Sequence, residues 1–393
     1  MRTSQRRVLY LQFANPAAYP PVVHGAQILA ERGAEVRILG TRPVIGGDIT
    51  MPAHPRIGLT QLREGRGISQ KIAFLRFALL ATWMAIRFRP DWLYVSDTFA
   101  APAGLLATLL ARVPVVYHEH DVHTEASPSI LVQFCMRARR ALARRARAVV
   151  VPSLGRAAYV ARTLEVQAVV VMNCPRLMDV RDRRASAEGP LRVAYQGTLV
   201  PGRLPFALAD AVAELRGAVV LTLGGYETAG AQGHVNALVA RADARGAPGS
   251  IVNAGPLLSR DRLLEFCANA EVGLAFVPRN GGDVNMQTMV GASNKAFDYL
   301  ACGVPLLVSD LEDWRETFVR PGYAIAAAPE DPRSIADALR WLLEHRSELG
   351  AMGVAGKLRI VDEWNYERQF APVAAQLLGD AESGATAMVV SLA

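Results

Sequence analysis

Short runs of β-branched and aromatic residues alternate along this chain with longer stretches whose apolar positions recur every three or four residues. Val8–Phe13 reads as a strand, His24–Arg32 as a helix closed by Gly33, and Glu35–Gly40 as the next strand. Ser69–Arg87 carries a helical pattern that Pro90 ends. Trp92–Ser96, Val113–His118, Ala148–Pro152 and Val169–Met172 read as strands, separated by helices over Ala101–Leu110 and Ile130–Arg147. The pattern restarts with strands at Arg192–Gln196, Val219–Gly224, Ile251–Ala254, Val272–Val277 and Leu306–Ser309. Helices over Phe206–Leu215, His234–Arg245, Ser259–Asn269, Ser293–Ala301 and Ser334–His345 fall among and after them, followed by a polar helical tail. Strands alternating with helices imply parallel sheets with right-handed crossovers. The expected fold class is therefore α/β, with two Rossmann-like doubly wound domains facing a central cleft. Their spans are 1–184 and 185–365, with 366–393 as a C-terminal helix and tail that packs back on the first domain. The polar run Asp179–Pro190 reads as the linker, and the small apolar last ten residues as frayed. Open α/β sheets bind ligands at the carboxyl ends of their strands, so residues there take priority.

Composition narrows the class. With 393 residues, 51% hydrophobic and 20% charged, the chain has the apolar content to fill two cores. Four cysteines without CxxC spacing support neither a disulfide framework nor a zinc site, which suits a reducing compartment. No secretory signal is read in MRTSQRR, and the longest apolar stretch, Ile72 to Ile86, is broken by Arg76. It falls short of the ~18 uninterrupted apolar residues of a membrane span. A cytoplasmic protein, at most peripheral at a membrane, is expected. Residues 1–184 hold 26 Lys+Arg against 12 Asp+Glu, and residues 185–393 hold 17 against 24, so the halves face different partners. Six arginines between Arg137 and Arg147 suit a polyanion or an anionic membrane surface. The absence of aromatic residues among them speaks against single-stranded nucleic acid, and a solvated arginine-rich helix is the plainer reading.

Three segments carry candidate chemistry. In SNKAFDYLACGVPLLVSD, Ser293 can cap a helix whose N–H groups, with Lys295 beside them, would suit a diphosphate. Asp298, three residues on, can share a face with Lys295 and accept hydrogen bonds from a ribose diol. An ordinary capped helix with a surface ion pair accounts for the same residues equally well. In VAYQGTLVPGR, a strand ends at Gly197 and a loop supplies Arg203 as a bidentate donor, and LGGYE after it is a similar glycine-rich strand end. In VVYHEHDVHTE, the residues His118, His120, Asp121 and His123 raise the question of a metal. Successive residues of a strand point to opposite faces, so a strand could not bring all four together. A polar histidine that bonds a sugar hydroxyl is preferred there, and no metal is expected.

Taken in order, these blocks together with YPPVVHGAQILAERGAEVRILG, VVVPS and VVVMNCPRL resemble glycosyltransferases of the GT-B fold. The closer likeness is to the large family-4-like (group 1) of retaining nucleotide-sugar transferases, over nearly the whole chain to about Tyr366. The resemblance implies an enzyme that moves a sugar from a nucleotide-diphosphate donor, UDP-, GDP- or dTDP-linked, to an acceptor hydroxyl, with retention and without metal or other cofactor. It implies a polysaccharide, lipid-linked or natural-product acceptor and no nucleic-acid partner. It places His120 and Asp121 beside the transferred sugar, and Arg203 and Lys295 at the leaving diphosphate. It places Gly197, Thr198, Gly224, Ser293 and Asn294 around the donor, Asp298 at its ribose, and Gly255, Pro256 and Leu257 at its base. The loop Asn15–Pro21 would shape the acceptor cleft. Four features depart from the family pattern: Val290 stands at the first of two glutamates, the shorter Asp298 at the second, Thr198 at a frequent arginine, and the glycine pair usual in the first loop is missing. An epimerase or hydrolase on the same scaffold, or a non-catalytic binding subunit, are the alternatives.

Overall fold

A computed structural model describes residues 5–42, 49–65, 67–122, 129–184, 188–281 and 284–380. In chain order, the first stretch is β1 (Arg7–Gln12), α1 (Pro20–Glu31), β2 (Glu35–Arg42), β3 (Ile57–Arg63), α2 (Ile68–Phe88) and β4 (Trp92–Ser96). Then come α3 (Ala101–Ala111), β5 (Val115–His118), α4 (Ile130–Ala143), β6 (Ala148–Val151), α5 (Leu154–Leu164) and β7 (Ala168–Val170). The second stretch is β8 (Leu191–Leu199), α6 (Phe206–Glu214), β9 (Val219–Glu227), α7 (His234–Ala244), β10 (Ile251–Gly255), α8 (Arg260–Ala268) and β11 (Val272–Ala275). It continues through α9 (Val284–Gln287), α10 (Asn294–Ala301), β12 (Leu306–Ser309), the turn α11 (Glu312–Trp314) and β13 (Ala324–Ala327). It ends in α12 (Pro332–Glu344), α13 (Leu349–Asp362) and α14 (Tyr366–Leu378).

Two compact units result. Unit 1 holds the described residues of Met1–Asn173, Asp283–Ala292 and Tyr366–Ala393, and unit 2 those of Cys174–Gly282 and Ser293–Asn365. Both sheets are wholly parallel, in the orders β3-β2-β1-β4-β5-β6-β7 and β10-β9-β8-β11-β12-β13. These are two Rossmann-like α/β units, as the alternating pattern implies.

In unit 1, strand alternation feeds two separate cores. Leu9, Leu11, Leu93 and Val115 face one helical layer with Phe77 of α2, Leu142 of α4 and Val160 of α5. Val8, Tyr10, Tyr94 and Val116 face the other, where α1 lies with Tyr366, Phe370 and Val373 of α14. In unit 2, Leu191, Val193 and Tyr195 bury one face against α6, α7 and α12.

The structure corrects several expectations. The division falls after Asn173, ahead of 184, because the polar run that follows is strapped to unit 2. There Arg181 N donates to the Ala301 carbonyl and Arg184 N to that of Ala268, and buried Asp179 pairs with Arg260. It is no free linker; residues 185–187, His123 and the last ten residues lie outside the described residues. The periodicity reading missed five elements: β3, whose edge position leaves it half-exposed; β13, four residues long; α5; and the short α9 and α11. Helix α4 stops at Ala143, four residues early, and Arg139 within it is buried in a two-bond pair with Glu119 at 2.6 Å, so the arginine run is only partly a solvent face.

Candidate functional site

Unit 2 gathers one set of the expected residues. Strand β8 does not end at Gly197 but runs through it to Leu199, pairing Gly197 with Gly225 of β9. Both glycines have positive φ, +112° and +149°, and a Cβ on Gly225 would lie 1.8 Å from the Gly197 carbonyl oxygen. This tight crossing needs two glycines, and Gly225 was not among the expected residues. A Cβ on Gly197 would stand 3.0 Å from Lys295 Nζ, so the ammonium lies directly on the bare strand backbone. Lys295 sits in the first turn of α10, with its Nζ 5.6 Å from the centre of the Tyr195 ring. Burial and the guanidinium of Arg203 pull its pKa well below the ordinary value. Arg203 comes from the turn after β8, its N–H bonded to the Val200 carbonyl. The two cations and the glycine, predicted from separate motifs, are thus one cluster.

Ser293 holds the N-cap position of α10, but its side chain makes no capping bond, contrary to expectation. The Asn294, Lys295 and Ala296 end of that helix therefore has no side-chain cap. Asp298, one turn deeper, is buried. Its Oδ1 takes Arg260 Nη2 at 2.8 Å and its Oδ2 takes Gln196 Nε2 at 3.3 Å. Burial raises its pKa while Arg260 holds it down. Rather than standing open on the helix face, Asp298 fixes Gln196, the residue next to Gly197. The remaining donor-side residues form the neighbouring strand ends. The Thr198 carbonyl accepts from Tyr195 Oη at 2.8 Å. Leu257 Cδ1 lies 2.9 Å from where a Cβ of Gly224 would be. Gly255 closes a bulge on β10, its N–H bonded to Asn253 Oδ1 at 2.9 Å, and exposed Pro256 follows.

Unit 1 gathers the second set at the carboxyl ends of β1, β4 and β5. His120 is buried, with Nε2 2.8 Å from Ser96 Oγ and its backbone N–H on Asp97 Oδ1 at 2.8 Å. Gln12 Nε2 donates to the other Asp97 oxygen at 3.2 Å. His118 Nδ1 lies 2.7 Å from Tyr94 Oη, and the two imidazole rings are 4.0 Å apart. The ring of Tyr19, in the expected acceptor loop, is 5.6 Å from that of His120. Asp97 has φ 67° and ψ 165°, a conformation costing a non-glycine residue about 1–3 kcal/mol. Burial and the neighbouring Asp121 push its carboxyl up to about 7, and burial takes His120 down to about 4, so this histidine is neutral at pH 7.

Ser96 Oγ and Tyr94 Oη have no other hydrogen-bond partner among the described residues. With each hydroxyl as the donor to its imidazole nitrogen, the proton stands on His120 Nδ1 and His118 Nε2. Neither of those N–H groups, nor Arg156 Nη1, has a partner among the described residues, although all are buried. Arg156 gives Nη2 to the exposed Asp121 at 3.3 Å. Asp121 thus anchors an arginine that no motif revealed. Gln12, Ser96 and Asp97 stand where strand-end reasoning points, but their residue types gave no further signal.

Asn285 clamps the backbone of Val122, with its Oδ1 taking the N–H and its Nδ2 the carbonyl, both at 2.8 Å. This binds the segment bearing Val290 to unit 1. Among the described residues, no group of three or more His, Cys, Asp and Glu is placed to hold a metal ion.

Two family models match the chain. A glycosyl transferase 4-like domain matches residues 22–176, and a glycosyl transferase-like domain matches residues 208–378. No curated protein matches by sequence. Among solved structures, sucrose-phosphate synthase from Thermosynechococcus elongatus is similar at a TM-score of 0.73 and 15% identity, covering 96% of this chain and 100% of that one. HepE of Anabaena, in complex with UDP and glucose, is similar at 0.73 and 16%, covering 95% and 100%. A glycosyltransferase from Rickettsia africae is similar at 0.72 and 10%, covering 96% and 100%.

Proposed function

Since this chain belongs to the group 1 glycosyltransferases of the GT-B fold, we propose that it moves a sugar from a nucleotide diphosphate held by unit 2 to an acceptor hydroxyl, with retention and without a metal. The observation that carries the donor half is the Lys295–Gly197–Arg203 cluster at the uncapped start of α10. Two cations side by side, with burial and Arg203 lowering the pKa of Lys295, beside the uncapped N–H groups of α10 match a dianionic leaving group. A solved relative in fold holds UDP and glucose, which supports the same donor class.

In this reading the bond from the anomeric carbon to the diphosphate breaks, and its electron pair goes to the phosphate oxygen. Lys295 and Arg203 stabilise that charge as it develops. The acceptor oxygen bonds to the anomeric carbon from the same face, and its proton passes to the departing phosphate. His120, neutral and with Nδ1–H free to donate, orients a hydroxyl of the transferred sugar. Asp97 and Ser96 hold His120 in place. Asp298 acts through Gln196 on the strand end and offers its remaining lone pairs to the ribose.

The test is a melting-temperature panel with UDP, GDP, dTDP and ADP in EDTA, on the native protein and on Arg203→Ala and Lys295→Met. One nucleotide raises the native melting point, and both variants lose the effect. Lack of response to every nucleotide removes the donor-site reading. NMR of the product's anomeric configuration then decides retention, and free or epimerised sugar in place of a glycoside makes the enzyme a hydrolase or an epimerase.

A further inference from the structure

Helix α2 is apolar on both sides. Its inner face buries Phe77, Ala81 and Met84 in unit 1. Its outer face presents Ile72, Leu75, Leu79, Trp83 and Ile86, at heptad-like spacing, with Trp83 60% and Leu75 61% exposed. A helix apolar all round is normally covered on all sides. The stripe widens onto the neighbouring helices, through Leu106, Leu109 and Leu110 of α3 and Ile130 and Phe134 of α4. Patches of this extent mark an interaction surface.

Charge identifies the partner. The sequences of α2, α3 and α4 contain no Asp or Glu. Lys71, Arg76, Arg87, Arg89, Arg112 and Arg137 are exposed around the apolar residues, and none has an ion pair among the described residues. Arg89 and Arg112 end α2 and α3, and line one groove of about 460 Å³ whose walls include Ile86 and Leu110. We propose that this face of unit 1 docks on an anionic lipid bilayer, with the apolar stripe entering the acyl boundary and the cations reaching lipid phosphates. A second copy of the chain fits poorly: a two-fold contact sets the patch against itself, cations against cations. No helix among the described residues is long and apolar enough to cross a membrane, so the contact lies in the interface plane. This inference does not rest on the transfer reading.

The test is flotation of the full chain with vesicles of phosphatidylcholine alone, or of phosphatidylcholine with phosphatidylglycerol. The native chain floats with the anionic vesicles and not with the neutral ones. Leu79→Ser/Trp83→Ser weakens binding at least about tenfold, and Arg89→Gln/Arg112→Gln roughly thirtyfold. Val354→Ser/Leu358→Ser, on exposed positions of α13, leaves it unchanged. Unchanged melting points show that the variants fold. Failure to bind anionic vesicles, equal binding to both compositions, or full binding by Leu79→Ser/Trp83→Ser overturns the proposal. So does a native dimer that Leu79→Ser/Trp83→Ser splits, which assigns the face to a second copy.

Discussion

At the scale of single residues, protons are placed against their usual order in unit 1. Asp97, raised to about 7 from an ordinary 3.8, binds its proton more tightly in the folded state. Its share of stability is complete below pH 4 and is lost as the pH climbs towards 7. His120, lowered to about 4 from 6.5, and His118, held well below its ordinary value by burial, act in the opposite sense: their share is complete above pH 6.5 and is lost as the pH falls. Asp97→Asn removes only the first effect. Between pH 4 and 6.5 its stability therefore rises with pH more steeply than the native protein's, by up to about 1.4 kcal/mol per pH unit, the value for one proton. Denaturant melts across that range check the slope. Gly197→Ala is the sharpest probe of the donor cluster, because its methyl group falls on Lys295 and its φ of +112° is strained for alanine. It is expected to weaken nucleotide binding at least about tenfold, read by titration calorimetry, since one displaced charge-assisted contact is worth about 1.5–3 kcal/mol. Gly197, Arg203 and Lys295 were legible because each stands in a punctuated strand–loop–helix motif. Arg156 was not, because a buried cation leaves no periodic trace in a sequence; its pair with Asp121, and an Nη1 without a partner among the described residues, reveal it.

At the scale of elements, α4 shows how a charge run misleads. Six arginines read as a solvated face, yet Arg139 is 1% exposed and grips Glu119, whose Oε2 also accepts from Tyr117 Oη at 3.0 Å. Arg139→Met leaves that carboxylate buried without its partner and is expected to cost about 3–5 kcal/mol in urea unfolding. Adding Glu119→Leu should recover much of the loss, because the lone charge is then gone. A surface pair would cost less than about 1 kcal/mol on the same substitution. Strands and helices with strong periodicity were legible to within a few residues, and Trp92–Ser96 and Leu306–Ser309 match in full. The missed β3 is an edge strand with one weakly buried face, so its sequence lacks the alternation that buried strands show.

At the scale of the whole molecule, the order of segments along the chain decides what can fold alone. Unit 1 is not one contiguous stretch: it needs 283–292 and α14 as well as its first 173 residues. Alternation of strands and helices cannot reveal the return of 283–292 to unit 1, which depends on contacts made far apart in the chain. Ending the chain after Asn365 removes Tyr366, Phe370, Val373 and Leu377 from the core over Val8, Tyr10 and Tyr94. Losing even one such aromatic side chain costs about 3–5 kcal/mol. The truncated protein should therefore keep a cooperative transition for unit 2 and lose that of unit 1, which calorimetry resolves as one peak in place of two. The same arrangement bears on synthesis. At about 5–20 residues per second, a ribosome needs roughly 10–40 s to travel from the end of the first segment to α14. For all of that time one greasy side of the finished parallel sheet, which α1 covers only in part, waits for the rest of its cover to be translated, which makes the nascent chain a natural client for chaperones.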